Sequence, residues 1–228
     1  MALDLIIAWL GEHTLLLVLA AGAVFAFLWL LLFKKRLRMS AFGALIFAVL
    51  HVIIGMVSVS LFAAIENPGT YGLGMVSIFG GVFFMPLAYW GGAKIFKRDE
   101  KTVFDIFVVC LLFTLMCSRF NCLYSNCCYG AVIPGTNALR WPTREMEIVF
   151  YIAMMAVFIP QVVKDRSRGE LYPIYMIAYG VFRFINETLR ASDGSKLFHL
   201  SHIWAIICFC IGLCVFLEQR RKKMKVRR

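Results

Sequence analysis

Charged residues are scarce in this sequence. They form 16% of the 228 residues, whereas about a quarter is usual in soluble proteins. Acidic residues are the scarcer kind, with 13 Asp and Glu against 24 Lys and Arg. A chain with so few charges cannot cover its folded surface for water, which excludes a soluble globular domain. Apolar residues are abundant instead, at 61%, and this composition indicates an integral membrane protein.

Apolar runs separated by charged residues predict an all-α membrane protein with seven transmembrane helices in a single domain, 1–228. A helical span needs roughly 20 residues that are mostly apolar. Such runs lie at about 14–33, 40–65, 71–95, 102–118, 146–163, 171–189 and 201–217. The long connection between the fourth and fifth helices, at about 119–145, is expected to form a loop on the outer face.

Basic residues fall mostly on one side of these helices. The loops after the first, third and fifth helices, together with the tail from Arg220 to Arg228, carry 17 of the 24 Lys and Arg residues. By the positive-inside rule, the C-terminus is then cytoplasmic and the N-terminus outside. The first 13 residues contain no Lys or Arg, so we expect no cleaved signal peptide. This orientation explains the net charge of +11, and we expect no nucleic-acid partner.

The sixth predicted helix carries polar residues along one face. At 100° per residue they fall within an arc of about 120°; they are Tyr172, Tyr175, Tyr179, Arg183, Asn186, Glu187 and Arg190. Ionisable residues within a span cost a few kcal/mol each unless they are paired. An i, i+4 ion pair between Arg183 and Glu187 is one explanation. It does not account for the other polar residues, which favour a water-filled or ligand-filled cavity.

Two stretches beside the outer loop add further ionisable residues. Arg119 is expected to end the fourth helix, and Glu145 and Glu147 lie near the start of the fifth, where the helix dipole favours carboxylates. The planar fork of arginine donates two parallel hydrogen bonds to a phosphate. We therefore expect Arg119 and Arg183, oriented by Glu147 and Glu187, to clamp the headgroup of an anionic phospholipid.

Three stretches resemble motifs of the prolipoprotein diacylglyceryl transferase family. Residues 179–190 contain Tyr-Gly-Val-Phe-Arg-Phe, Glu187 and Arg190, and are similar to the family's Tyr-Gly-x-x-Arg-Phe-x-x-Glu-x-x-Arg. Residues 140–147 resemble its Arg-x-Pro-(Ser/Thr)-Gln-x-x-Glu. Residues 118–130 resemble its Gly-Arg-x-Gly-Asn-x-x-Asn-x-Glu-x-x-Gly. Order and spacing agree over about 105–217.

The resemblance implies an enzyme of the bacterial cytoplasmic membrane that moves the diacylglyceryl group of phosphatidylglycerol onto a lipoprotein cysteine. It implies catalytic roles for Arg119, Glu147, Arg183 and Glu187. It also implies that the substrate is bound by Tyr179, Arg190, Asn126, Gly130, Gly80, Gly81 and Arg140. No cofactor and no metal ion are expected.

The sequence departs from the family pattern close to these motifs. Cys122, Ser125 and Cys127 stand where the family has Asn, Asn and Glu, and Phe79 stands where it has His before Gly-Gly. These changes leave two other functions open. One is a transferase that uses phosphatidylglycerol with a glycan as acceptor, and the other is a non-catalytic lipid-binding protein.

The base that would activate an acceptor thiol also stays open, because Phe79 cannot take a proton. Glu147 is the favoured candidate if arginines do not fully occupy its carboxylate. His51 in the second helix is the other candidate. A lone histidine in a span is more often held by structural hydrogen bonds.

Half of the eight cysteines cluster at the outer end of the fourth helix and the start of the loop: Cys117, Cys122, Cys127 and Cys128. An oxidising compartment would permit a disulfide there. The positive field of Arg119 would instead favour a reactive thiolate, so a disulfide, plain thiols and a nucleophile at Cys122, Cys127 or Cys128 are all compatible. The spacing lacks the usual CxxC pairs of zinc sites and no histidine is near in sequence, which disfavours a metal.

Overall fold

The structure is a computed structural model, and it describes residues 2–68, 76–125, 127–136, 138–167, 169–190 and 199–226, with side chains described only within 13–224. The described residues contain seven helices. They are α1 (Ala2–Leu32), α2 (Ala41–Glu66), α3 (Ile78–Ile95), α4 (Glu100–Tyr124), α5 (Thr143–Val163), α6 (Leu171–Thr188) and α7 (Leu200–Val226). The predicted all-helical class is confirmed. The ends of the helices opposite the basic loops are called the outer ends below.

Six of these helices are long and apolar enough to cross a membrane, namely α1 to α5 and α7. Large apolar side chains such as Val57, Leu61 and Ile65 of α2 are exposed on the surface of the bundle, where lipid rather than water would cover them. The chain is therefore a multi-pass membrane protein. The helix α6 is not among the six because its tyrosine, arginine, asparagine and glutamate residues lower its hydropathy. The count of seven spans therefore stays a prediction.

Several predicted boundaries differ from the structure. The first helix begins at Ala2 rather than at about 14, and the seventh continues to Val226 rather than ending at about 217. The fourth helix does not end at Arg119 but continues to Tyr124, so the outer loop is shorter than expected and covers 125–142. The third helix begins at Ile78, and the predicted start near 71 lies outside the described residues. The end of α4 is held against α5, because Arg119 pairs with Glu147 and Arg144 donates to the Cys122 carbonyl at 3.3 Å.

The helix α6 buries its polar face and exposes its apolar one. All six polar residues from Tyr172 to Glu187 singled out above are buried, whereas Val181 and Ile185 are exposed. Close packing on α7 fixes this orientation. A Cβ atom on Gly180 would lie 2.8 Å from the carbonyl oxygen of Ala205, and one on Gly212 would lie 2.8 Å from Cβ of Met176, so neither position can carry a side chain without movement.

A buried carboxylate on α4 holds the start of α6. Asp105 is 2% exposed, and its Oδ2 accepts hydrogen bonds from the Ser167 hydroxyl at 2.7 Å and the Gly169 amide at 2.6 Å. Its Oδ1 accepts from the Leu171 amide at 3.4 Å. These contacts secure α6 at the end opposite the outer loop and so set its position along α4.

The outer loop is attached to the ends of α5 and α6. Antiparallel bridges pair Val132 with Arg140 within the loop and Gly130 with Arg190 beyond α6. A Cβ atom on Gly130 would lie 2.2 Å from the carbonyl oxygen of Trp141, so the loop can close here only with glycine. This attachment brings the loop against the outer ends of α4 and α6.

Candidate active site

Five residues of alternating charge meet at the outer ends of three helices. Arg119 comes from α4, Glu147 from α5, Arg183 and Glu187 from α6, and Arg190 from just beyond α6; we call them the arginine–glutamate network. Arg119 pairs with Glu147, and Arg183 pairs with Glu147 at 2.5 Å and with Glu187 at 2.7 Å. Arg190 pairs with Glu187 at 3.2 Å. Each carboxylate therefore lies between two guanidinium groups.

The carboxylate of Glu147 is the centre of this network. Its Oε1 accepts from Nη1 of Arg183 at 2.5 Å and from Nδ2 of Asn186 at 3.1 Å. Its Oε2 is paired with Nη2 of Arg119. Both oxygens are thus engaged, and neither can take a proton from a thiol unless an arginine moves. The condition under which Glu147 would serve as the base is not met in this arrangement.

The network is buried and carries an excess positive charge. Arg119 and Arg183 are each 5% exposed, and Glu147 is 2% exposed. Three guanidinium groups against two carboxylates leave one positive charge within the network when all five are ionised, and the nearby carboxyl group of Glu66 at the end of α2 offsets it in part. Burying an uncompensated charge costs several kcal/mol, so this arrangement favours an anion as its ligand.

Several buried donors at the network have no hydrogen-bond partner among the described residues. They are Nε of Arg119, Nε of Arg183 and the hydroxyls of Tyr151, Tyr175 and Tyr179. The tyrosine rings form a row, with ring centres 6.3 Å apart for Tyr151 and Tyr179 and 5.6 Å apart for Tyr175 and Tyr179. Because buried polar groups are normally hydrogen-bonded, these donors are candidates for contacts with a polar ligand.

Three thiols lie beside this network. The Sγ atoms of Cys122, Cys127 and Cys128 are all within 4.8 Å of one another, and we call them the thiol cluster. None of the three forms a disulfide with another described cysteine. Arg119 joins the cluster to the network, since its Nη1 donates to Sγ of Cys122 at 3.6 Å. The backbone at Cys128 is left-handed, with φ of 59°, a conformation that is uncommon for a residue with a side chain.

The pKa values of the two loop thiols of the cluster, Cys127 and Cys128, are shifted in opposite directions. A hydrogen bond with the Cys122 thiol, helped by the charges of Arg190 and Arg119, lowers the pKa of Cys128 to about 5 although burial acts the other way. Burial and the neighbouring Cys128 raise the pKa of Cys127. Cys128 is therefore the thiolate of the cluster at neutral pH.

Two of the predicted substrate-binding residues lie in the outer loop rather than in the network. Arg140 donates from Nη1 to the Gly130 carbonyl at 3.1 Å, and its guanidinium lies 4.6 Å from the ring centre of Tyr129. These contacts account for both residues as parts of the loop, and a role in substrate binding stays a prediction. Asn126 lies outside the described residues.

The two glycines of α3 make packing contacts. A Cβ atom on Gly80 would lie 2.1 Å from the carbonyl oxygen of Ser58 on α2, and Gly81 faces α4. Phe79, by contrast, reaches the network, because the guanidinium carbon of Arg183 lies 5.8 Å from its ring centre. The residue that replaces the family histidine thus faces the site with an aromatic ring in place of a base.

The candidate base His51 lies in a different set of contacts. Its Nδ1 is 3.3 Å from the Tyr89 hydroxyl and its Nε2 is 3.4 Å from the Thr114 hydroxyl. It is 4% exposed. A buried histidine with two hydroxyl partners agrees with a structural role.

Tyr151 and Glu66 are among the residues near the network that were not predicted from the sequence. Tyr151 lies one turn after Glu147 on α5, and that i, i+4 spacing could have identified it. Glu66, the last residue of α2, interacts with the Ser77 hydroxyl and with the charges of Arg183, Glu187 and Arg190. Its only sequence signal is that a single carboxylate ends a long apolar helix.

Comparison with known proteins agrees with this site. The family model described as prolipoprotein diacylglyceryl transferase matches residues 16–218. The chain belongs to the prolipoprotein diacylglyceryl transferase family. The match extends the resemblance noted at 105–217 to most of the chain, and the predictions of the family and of a transferase are confirmed.

Individual relatives carry the name phosphatidylglycerol–prolipoprotein diacylglyceryl transferase. One from Dehalococcoides mccartyi strain BAV1 is 24% identical, over 96% of this chain and 92% of its own length. One from strain 195 of that species is 22% identical over the same shares. A relative from Chlorobaculum tepidum is 25% identical over 68% of this chain and 60% of its own. As a transferase of this family, the chain has the arginine–glutamate network as its candidate active site.

Proposed function

We propose that the protein transfers the diacylglyceryl group of phosphatidylglycerol to a cysteine of a prolipoprotein, at the outer leaflet of the bacterial cytoplasmic membrane. The observation that carries this proposal is the buried pair of Arg119 and Arg183 on the single carboxylate of Glu147. The names of the relatives, which cover nearly the whole chain, supply the donor lipid and the class of acceptor.

In the proposed reaction, the acceptor sulfur forms a thioether bond to the terminal glycerol carbon of the diacylglyceryl group. The bond between that carbon and the phosphate oxygen breaks, and glycerol phosphate leaves with the electron pair. The thiol proton is released. A phosphate leaving group is already a weak base, so stabilising its negative charge contributes more than donating a proton to it.

The excess positive charge of the network suits that task. Nε of Arg119 and Nε of Arg183 are buried donors without a partner among the described residues, and we assign them as donors to the phosphate oxygens in the complex with substrate. The two carboxylates hold the guanidinium groups in place, which is preorganisation of the kind that stabilises developing charge. Glu147 is assigned this positioning role rather than that of the base. The same positive field would favour the thiolate form of the acceptor cysteine.

Phosphatidylglycerol labelled in its headgroup tests the proposal with the full-length protein in detergent micelles. We expect labelled glycerol phosphate to appear only when a peptide with a prolipoprotein cysteine is present, together with a peptide whose mass has risen by one diacylglyceryl group. Release of label with a glycan acceptor but not with the peptide would support a transferase of another specificity. Lipid binding without release under any condition would identify a non-catalytic protein and contradict the proposal.

A further inference from the structure

The thiol cluster brings together three sulfur ligands that are separated along the chain. Cys122 lies in the last turns of α4, whereas Cys127 and Cys128 follow it in the loop. The Cys127 amide donates to the Cys122 carbonyl at 3.2 Å, which turns the chain back over the helix end. As a result all three Sγ atoms lie within 4.8 Å of one another, although their spacing is not a usual metal-binding motif.

The backbone of all three cysteines is fixed by the start of α5. The Thr143 hydroxyl donates to the Cys128 carbonyl at 3.1 Å. Arg144 donates from Nη1 to the carbonyls of Cys122 at 3.3 Å and Cys127 at 3.5 Å. Precise sites of this kind need supporting contacts that lock their ligands, and here two residues of a neighbouring helix provide them.

The distances fit a tetrahedral zinc ion. With Zn–S bonds of about 2.3 Å, tetrahedral geometry places the sulfur atoms about 3.8 Å apart, so the observed cluster needs only a small contraction. The charge fits as well, since Zn²⁺ with three thiolates carries one negative charge. Arg119 already donates to Sγ of Cys122, which is the type of outer contact that orients and stabilises a metal-bound thiolate.

We propose that Cys122, Cys127 and Cys128 form a three-thiolate site for one thiophilic cation, Zn²⁺, with a fourth coordination position left for water or another ligand. Binding releases to solvent the protons that the cluster still carries and forms three Zn–S bonds without any oxidation. The ion would join the end of α4 to the outer loop next to Arg119. This site is independent of the transfer reaction proposed above.

Zinc content and thiol labelling of the reduced, full-length protein test the site. Protein treated with a phosphine reductant is dialysed against buffered micromolar free zinc, and its zinc is measured by mass spectrometry of the element. We expect about one zinc ion per chain. N-ethylmaleimide labelling followed by peptide mass spectrometry should show that zinc protects Cys122, Cys127 and Cys128, and that a chelator removes this protection.

Two matched double variants distinguish zinc bound by the thiol cluster from zinc bound elsewhere on the protein. Cys122→Ser with Cys128→Ser should lose at least nine tenths of the bound zinc, whereas Cys210→Ser with Cys214→Ser, which changes two exposed cysteines of α7, should keep it. Labelling of the unchanged protein provides a test that does not depend on whether the variants fold. Stoichiometric zinc in the first variant, equal labelling with and without zinc, or a disulfide between two cluster cysteines in the presence of reductant would each overturn the proposal.

Discussion

Arg119 and Arg183, from helices α4 and α6, bind opposite oxygens of one carboxylate, that of Glu147. The clamp that the sequence predicts for a phosphate thus encloses an internal anion in this structure. Nη2 of Arg119 and Nη1 of Arg183 are occupied by the Glu147 carboxylate. A phosphate ligand must therefore bind the other N–H groups of these two guanidinium groups. Glu147 consequently acts on the spacing and orientation of the two arginines, and the first predictions follow from that role.

Arg183→Lys is expected to lower transfer activity at least tenfold. The guanidinium of Arg183 binds Glu147 and Glu187 with different nitrogens, which a single ammonium cannot reproduce. Losing one charge-assisted hydrogen bond at a buried site costs about 1.5 to 3 kcal/mol. Release of glycerol phosphate from phosphatidylglycerol measures the effect. Arg220→Lys, at an exposed ion pair with Glu170, serves as the control, and normal turnover by the Arg183 variant would disprove the clamp.

Glu147→Gln is expected to destabilise the protein as well as inactivate it. The change removes the anion between two buried cations, and breaking a buried ion pair from one side costs about 3 to 5 kcal/mol. Thermal unfolding in detergent should show a clear decrease in stability. Glu145→Gln, two residues earlier on the exposed side of α5, should change neither stability nor activity. A stable and active Glu147→Gln protein would mean that the pairing seen here is not maintained.

Asp105→Asn is expected to lower the stability of the protein without changing its turnover. The carboxylate of Asp105 accepts from three donors at the start of α6, and the amide group of Asn would place its own donor against one of them. We expect a loss of about 1 to 3 kcal/mol in unfolding free energy, with unchanged turnover per folded molecule. If turnover falls even when all of the variant protein is folded, the Asp105 contacts do more than stabilise the start of α6, and this prediction is wrong.

The orientation of the bundle is a further prediction. Reporter fusions should be active at the cytoplasmic side when attached after Arg228 and at the outer side when inserted in the loop 125–142. The physical reason is the concentration of Lys and Arg in the loops and tail of one side. A C-terminal reporter that is active only outside the cell would contradict both the orientation and the placement of the site at the outer leaflet.

Much of the fold could be predicted because the bilayer imposes it on the sequence. Charged breaks between apolar runs located all seven helices, and the polar ladder identified the inward face of α6. The end of α4 could not be found in this way. Polar and turn-forming residues such as Asn121 and Cys122 follow Arg119, yet both lie within α4, where contacts with α5 hold them. Arg144 of α5 donates to the Cys122 carbonyl at 3.3 Å, and Arg119 pairs with Glu147 across the helix interface.

The members of the site and the ion pair of Arg183 with Glu187 on one helix were predictable, but the pairing between helices was not. Ionisable residues within spans are costly, which singled out Arg119, Glu147, Arg183 and Glu187. Which oxygen of Glu147 faces which arginine depends on how far α4, α5 and α6 are shifted along one another, and no sequence period fixes that shift. The thiol cluster depends in the same way on a turn at the end of α4, so its spacing alone gave no reason to expect three adjacent sulfur atoms.

The last prediction concerns the reactivity of Cys128 in metal-free protein. Its pKa of about 5 makes the thiolate the main form above that pH, whereas an ordinary cysteine, with a pKa of about 8.5, is mostly protonated at pH 6. The alkylation rate of Cys128 by iodoacetamide should therefore change little between pH 6 and pH 8. The rate for glutathione should rise by roughly tenfold per pH unit over most of that range. Peptide mass spectrometry after timed quenching gives the rate for each cysteine.

Arg190→Gln removes one of the charges that lower this pKa, so the rate profile of Cys128 should shift to higher pH in that variant. A profile that matches glutathione in the unchanged protein would show that Cys128 is an ordinary thiol and that the positive field of the network does not reach it.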